Sequence, residues 1–121
     1  MRIFDVMREE NIKTAEAFLN ALRMRDLSLA PLADELEFDD PIAGKGSGAE
    51  NFRAFLEGFL VTINGVKTLQ HVCEDNYVVT HLELDTLFGK ISILEKFRIQ
   101  NGKIVETIAY YDPRPILGEA V

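Results

Sequence analysis

Four stretches of β-forming residues fill the second half of the chain and constrain its fold more than any other feature. They are rich in Val, Ile, Thr, Tyr and Phe, and comprise residues 66–74, 77–88, 90–100 and 103–112. Only Asp75-Asn76, Gly89 and Asn101-Gly102 separate them, and Asn-Gly between two alternating stretches is a strong hairpin signal. Because connections this short join antiparallel neighbours, the pattern predicts a four-strand antiparallel meander.

The first half of the chain has the spacing of amphipathic helices. Apolar residues recur at helical intervals over residues 9–25 and 49–62, which predicts two long helices. A short helix over residues 29–34, N-capped by Ser28, and a brief strand over residues 36–40 are predicted between them. The predicted class is therefore α+β, with three N-terminal helices packed on one face of a curved antiparallel β-sheet.

Length and composition limit the domain count and the partners. A chain of 121 residues is expected to form one domain, residues 1–121. The single Cys73 cannot form an internal disulfide and the N-terminus lacks a signal-peptide pattern, so we expect a cytoplasmic protein. The net charge of −7 disfavours nucleic acid and acidic membrane surfaces, and no apolar run is long enough to span a bilayer. Neither is expected as a partner.

The alternation of side chains along two predicted strands turns a carboxylate toward the interior in each. In the first strand Asp40 shares a face with Leu36 and Phe38, and in the fourth Glu95 lies in a row of Ile and Phe residues. Burial raises the pKa of a carboxyl group, which is how a fold makes a general base or a neutral acid donor near pH 7. Asp40 and Glu95 are therefore the candidate catalytic residues.

Structural roles compete with catalysis for each of these residues. Asp40 precedes Pro41, and Asp-Pro often starts a turn. Glu95 has a structural alternative as the partner of Arg53, His71 or a backbone amide. Three further candidates are Asp112, as a turn residue or a third pocket acid, His71, as a pocket or interface residue, and His81, as a solvated surface residue.

No cofactor or metal is expected from the motifs. The segment Gly44-Lys45-Gly46-Ser47-Gly48 lacks the spacing of a phosphate-binding loop, so it is interpreted as a turn and a helix start. No histidine pair has metal-ligand spacing, and no Gly-x-Ser-x-Gly nucleophile motif is present. The aromatic residues of the helix over 49–62 are interpreted as core.

The order of these segments resembles the NTF2-like superfamily, and within it the SnoaL-like and ketosteroid-isomerase-like branches. The resemblance covers nearly the whole chain and is carried by the predicted glycine-led helix and by Ala21-Leu22-Arg23-Met24-Arg25-Asp26-Leu27, Phe38-Asp39-Asp40-Pro41, Asn101-Gly102-Lys103-Ile104-Val105 and Tyr110-Tyr111-Asp112-Pro113. It implies a cone with a deep apolar pocket between helices and sheet, and a homodimer formed through the sheet. Such a fold hosts both enzymes and proteins that only bind ligands or partners.

The resemblance also implies roles for individual residues. Asp40 matches the base of the steroid isomerases, and Glu95 matches the position of their protonated acid donor. Phe18 stands where those enzymes have a tyrosine donor, a departure that disfavours steroid isomerase activity unless Tyr110 or Tyr111 supplies the missing hydrogen bond. Asp112 matches the acid that serves as base in SnoaL-like cyclases.

Two functional hypotheses follow. The first is a cofactor-independent acid/base enzyme, of isomerase or cyclase type, acting on a small apolar carbonyl compound. The second is a non-catalytic module that binds a small apolar ligand or dimerises; a partner-protein role is a weaker third. The predicted ligand-binding residues are Phe18, Phe38, Phe55, Phe59, His71, Phe97 and Tyr110. Apolar residues predicted to form a homodimer surface are Leu69, Cys73, Val79 and Leu87.

Overall fold

The structure, a computed structural model, describes residues 3–119. Its helices are α1 (Ile3–Arg23), α2 (Ala49–Leu60) and the four-residue α3 (Arg114–Leu117). Its strands are β1 (Leu32–Asp40), β2 (Gly44–Ser47), β3 (Ile63–Glu74), β4 (Tyr77–Thr86), β5 (Gly89–Gln100) and β6 (Lys103–Tyr110). Within residues 3–119, no helix combines the length and apolar character needed to cross a membrane.

The predicted meander is confirmed. Strands β3, β4, β5 and β6 pair antiparallel in sequence order. Asn101 and Gly102 join the last two, with φ angles of 52° and 74°. Two consecutive residues of positive φ match the right-handed twist of the flanking strands, which explains the Asn-Gly pair.

The prediction of a wholly antiparallel sheet is wrong at one pair of strands. The sheet is curved and mixed, with the order β2-β1-β6-β5-β4-β3, and β1 runs parallel to β6. Strand β2, helix α2 and strands β3 to β5 separate these two strands along the chain, so no short connection dictates their relative direction.

The predicted short helix over residues 29–34 is also wrong. A single 3₁₀ turn spans Leu27–Leu29, and its N-cap is Asp26, whose side chain accepts a hydrogen bond from the Ser28 backbone N–H. Proline disfavours the α conformation of the residue before it, and Ala30, which precedes Pro31, is extended with ψ 124°. The chain therefore enters β1 at Leu32, and within residues 3–119 two α-helices, α1 and α2, precede the meander.

The core lies on the face of the sheet that the helices cover. Helix α1 contributes Phe18, Leu19 and Leu22, and α2 contributes Phe52. From β5 the predicted inward row is confirmed: every second side chain from Ile91 to Ile99 is buried. The segment over Gly44–Gly48 forms β2 and the approach to α2, and Gly46 leaves the space that the Phe38 ring fills.

Candidate functional site

An apolar cavity of about 60 Å³ lies between the two long helices and the inner face of the sheet. Four phenylalanines line its helical side: Phe18, Phe52, Phe55 and Phe59. Its polar lining includes Asp40 and Glu95 from the sheet, Tyr111 from the segment after β6, and Asp39. Ile116 of α3 also lines it, so the segment after β6 contributes to this cavity.

Asp40 is held at the end of β1 by three donors to one oxygen. Its Oδ1 accepts hydrogen bonds from the backbone N–H groups of Ile42 (2.8 Å) and Ala43 (3.2 Å) and from the hydroxyl of Tyr111 (2.8 Å). The residue is 9% exposed, so it is both the turn-starting aspartate and an inward-facing acid. The structure therefore confirms both predicted positions of Asp40, at the start of a turn and facing the interior.

The second oxygen of Asp40 is left free. No hydrogen bond joins Oδ2 to any group in residues 3–119, and none of the fully buried side-chain oxygens there lacks a partner. Oδ2 therefore keeps accessible surface, and Asp40 lines the cavity. An oxygen fixed in place by its neighbour and open to an apolar space has the geometry of a general base.

Glu95 is arranged in the same way from the middle of β5. Thr107, on β6, donates a short hydrogen bond to Oε2, while Oε1 has no partner among the described residues. The pKa of Glu95 is raised from its ordinary value of 4.5 to about 7: burial is the main cause, the charge of Asp40 acts in the same direction, and the Thr107 hydrogen bond partly opposes them. At neutral pH the carboxyl is therefore partly protonated and can donate a hydrogen bond.

The structural partners considered for Glu95 are engaged elsewhere. Arg53 donates to the carbonyls of Leu27 and Ala30 and pairs with Glu50. His71 Nε2 lies 2.9 Å from Glu16 Oε1 on α1, and its Nδ1 lies 2.7 Å from the Thr80 hydroxyl. His71 therefore helps to join α1 to the sheet, and it does not line the cavity.

Tyr111 is the tyrosine that turns inward, and Tyr110 turns outward. Thr107 and Ala109 are buried on the inner face, and the same alternation carries Tyr111 inward beyond the end of β6. Burial raises the pKa of Tyr111 above its usual range, and the charge of Asp40 and the hydrogen bond to it act in the same direction. Tyr111 therefore stays a neutral donor, with its proton directed at Asp40.

The remaining predicted residues divide between the cavity and its surroundings. Phe18, Phe55 and Phe59 line the cavity. Phe38 and Phe97 lie outside the lining, packed on Phe52 at 5.1 Å and on Phe18 at 5.4 Å between ring centroids. The three predicted residues that lie away from it are His71, Tyr110 and Asp112.

Asp112 lies on the surface. Both its carboxylate oxygens accept hydrogen bonds from the Arg114 guanidinium, at 2.7–3.1 Å. These bonds and the backbone N–H of Arg114 lower the pKa of Asp112 below its usual range. The predicted position of Asp112 as a third cavity acid is therefore wrong: it follows the inward-facing Tyr111, and successive side chains point to opposite sides. His81, on the outer face, contacts Ser92 at 2.8 Å.

Similar solved structures exist, although no protein-family model and no curated protein matches the chain. An NTF2-like protein of unknown function from Cytophaga hutchinsonii ATCC 33406 is 21% identical, with a TM-score of 0.75 over 88% of this chain and 94% of that chain. An LEH-like epoxide hydrolase from M. tuberculosis is 22% identical, with a TM-score of 0.73 over 92% and 89%. A putative SnoaL-like polyketide cyclase from Jannaschia sp. CCS1 is 13% identical, with a TM-score of 0.78 over 92% and 91%. At these identities the likeness shows the fold, which is NTF2-like, as the resemblance predicts.

Proposed function

From the NTF2-like fold and the two carboxylates that share one apolar cavity, we propose that this protein is a cofactor-independent acid/base catalyst acting on a small apolar carbonyl compound, of isomerase or cyclase type. The observation that carries the proposal is the matched arrangement of Asp40 and Glu95. Each has one oxygen fixed by the protein and one oxygen free, and both line the same cavity.

Asp40 is assigned as the base. Its Oδ2 takes a proton from the carbon next to the carbonyl, and the electrons of that C–H bond form the carbon–carbon double bond of an enolate. Three donors at Oδ1 hold the carboxylate in one orientation throughout. Return of the proton to a different carbon completes an isomerisation that needs no oxidant or reductant.

Glu95 is assigned as the donor to the developing enolate oxygen. A protonated carboxyl with a free oxygen in an apolar space donates a strong hydrogen bond, because little water competes for the substrate oxygen. The raised pKa of Glu95 supports this role, since an ionised carboxylate would repel the enolate. Removal of one such donor typically lowers the rate about 10²–10³-fold.

The oxyanion site has fewer donors than the resemblance implies. Phe18 has no hydrogen to donate, and the Tyr111 hydroxyl is directed at Asp40. Tyr111 therefore orients the base. Of the three side chains Phe18, Tyr111 and Glu95, it is Glu95 that can donate a hydrogen bond to the substrate. A modest rate is expected for this reason.

A second candidate function is the binding of a small apolar ligand without turnover. The small size of the cavity favours it, since an apolar cavity of about 150 Å³ is what accommodates benzene, whereas this one is about 60 Å³. Any ligand larger than a few heavy atoms requires the partly exposed Phe55 and Phe59 to move.

A homodimer through the outer face of the sheet remains part of the proposal. Of the predicted residues, Leu69 and Leu87 are exposed and Val79 is half-buried on the outer face. Cys73 instead lies opposite the fully buried Val78 and packs against the core, so it is not part of the predicted dimer surface. Val72, Leu94 and Tyr110 extend the apolar outer face.

The test is exchange of the α-hydrogens of butanone and cyclopentanone in D₂O, followed by NMR. This exchange needs the base and the donor but no knowledge of the natural substrate. Asp40→Asn is expected to abolish protein-dependent exchange and Glu95→Gln to reduce it about 10²-fold or more. Asp34→Asn, an exposed acid of β1 outside the cavity, is the matched control and keeps the wild-type rate. Equal exchange in all three variants, or none in the wild type, would remove the catalytic proposal and leave ligand binding.

A further inference from the structure

The charged residues that line the cavity all have the same sign. They are Asp39, Asp40 and Glu95, and the lining includes no Lys, Arg or His within residues 3–119. The whole chain carries a net charge of −7, so no long-range positive field offsets them. A cavity lined in this way favours positively charged ligands over negatively charged ones.

Two of these acids are built into the cavity and are incompletely bonded. Asp40 is 9% exposed and Glu95 is 8% exposed, yet Oδ2 of the first and Oε1 of the second accept no hydrogen bond from the described residues. A carboxylate oxygen that faces an apolar cavity without a partner gains from any donor that reaches it. A donor that also carries positive charge gains most, because charge-assisted hydrogen bonds are about twice as strong as neutral ones.

The remaining walls suit a cation as well. Phe18, Phe52, Phe55 and Phe59 line the same cavity as the acids, and an aromatic face attracts an ammonium group electrostatically. From these features together we propose that the cavity binds small apolar primary ammonium ions, with the N–H groups donating to Asp40 Oδ2 and Glu95 Oε1, and that it excludes carboxylates of the same size.

The inference rests on the proposed function only in using the same cavity. It extends the ligand class from neutral carbonyl compounds to protonated amines, and it predicts that such amines occupy the place of the carbonyl substrate. Anionic substrates, including those that carry phosphate, are excluded by the same electrostatics.

Binding is coupled to the protonation of Glu95. The ionisable groups nearest to Glu95 are Asp40 at the end of β1 and Tyr111 after β6. Thr80 of β4 pairs with Glu95, and beyond Thr80 lie His71 of β3 and its partner Glu16 of α1. An ammonium ion favours the ionised form of Glu95, so binding at pH 6 releases a proton. Affinity therefore rises between pH 6 and pH 8.

The experiment compares butylammonium, 1-butanol and butyrate, which share a four-carbon chain, by NMR titration of methyl groups that line the cavity, such as those of Leu82 and Ile93. At pH 8 butylammonium is expected to bind at least about tenfold more tightly than 1-butanol, and butyrate not to bind. Asp40→Asn weakens butylammonium about tenfold or more and changes 1-butanol less than twofold. Asp34→Asn is the control and leaves all three unchanged.

Several results would overturn the inference. Butyrate could bind as tightly as butylammonium, or butylammonium could bind no more tightly than 1-butanol. Asp40→Asn and Asp34→Asn could weaken butylammonium binding equally, or the methyl signals could respond to none of the three probes. If Asp40→Asn does not fold, Glu95→Gln replaces it, and its failure to weaken butylammonium at pH 8 counts against the proposal. Because binding is measured without turnover, selective amine binding with no ketone exchange would leave this inference standing and remove the catalytic proposal alone.

Discussion

Tyr111 donates its hydroxyl hydrogen to Oδ1 of Asp40 over 2.8 Å, although 71 positions separate the two residues in the chain. The contact joins the segment after β6 to the end of β1, the two strands that form the parallel pair within the sheet. It fixes one oxygen of the proposed base and leaves the other free. The parallel pairing of β1 with β6 thus has a direct consequence for the site.

Removing this hydrogen bond should lower stability. Tyr111→Phe is expected to reduce the free energy of unfolding by about 1–3 kcal/mol, because the bond has a charged acceptor and is shielded from water. Tyr110→Phe is the matched control, since Tyr110 is 56% exposed, and should change stability by less than about 0.5 kcal/mol. Urea unfolding of both variants measures the difference, and equal stabilities would contradict the proposed anchoring of Asp40.

The Thr107 hydroxyl should tune Glu95. Thr107→Val removes the hydrogen bond that lowers the pKa of Glu95, so the pKa is expected to rise above its wild-type value of about 7. A ¹³C NMR titration of the Glu95 carboxyl measures this. Ser92→Ala, on the opposite face of β5, should leave the titration unchanged; an unchanged midpoint in Thr107→Val would show that the hydroxyl does not act on Glu95.

Glu95 should make the protein less stable as the pH rises. Its pKa is raised on folding from 4.5 to about 7, so the folded state holds the proton more tightly than the unfolded state. The resulting stabilisation is complete below about pH 4.5 and is lost as the pH rises through about 7, a change on the order of 3 kcal/mol.

Glu95→Gln isolates this effect because glutamine is neutral at every pH. The free energy of unfolding of this variant, minus that of the wild type, should increase by a few kcal/mol between about pH 4 and pH 8. Denaturant titrations at a series of pH values measure the difference. A difference that does not vary with pH would mean that Glu95 ionises as freely in the folded chain as in the unfolded one.

The apolar outer face of the sheet should support a homodimer. Val72 lies opposite Val79, and Leu94 lies opposite Tyr110, so apolar side chains form adjacent pairs on this face. Leu94→Glu is expected to shift the protein to the monomer in light scattering at micromolar concentration, because it places a charge in a contact that excludes water. Val61→Glu, an equally drastic change at an exposed position after α2, should leave the dimer intact. A wild-type monomer would remove the dimer from the account.

Side-chain alternation was sufficient to place the two acids, because it is a local property. Glu95 alternates with buried apolar residues from Ile91 to Ile99, so the pattern within β5 alone turns it inward. Phe18 could be placed at the cavity for the same reason, since helical spacing turned it toward the core.

The contacts between distant segments could not be predicted in this way. No local pattern indicates that β1 pairs with β6, and the contact of Tyr111 with Asp40 depends on that pairing. The alternation along β6 includes Thr107 and Ala109 and would have placed Tyr111 inward and Asp112 outward, but mixed polarity on both faces of this strand hid the signal. The short helix was mispredicted because Pro31 outweighs the helical spacing of its neighbours.

Catalysis and ligand selection both depend on the protonation state of Glu95, so the decisive measurement is the titration of its carboxyl group. We expect a ¹³C carboxyl midpoint near pH 7 in the wild type, and a lower midpoint in Asp40→Asn, where the neighbouring negative charge is gone. A midpoint near 4.5 in both proteins would contradict this expectation.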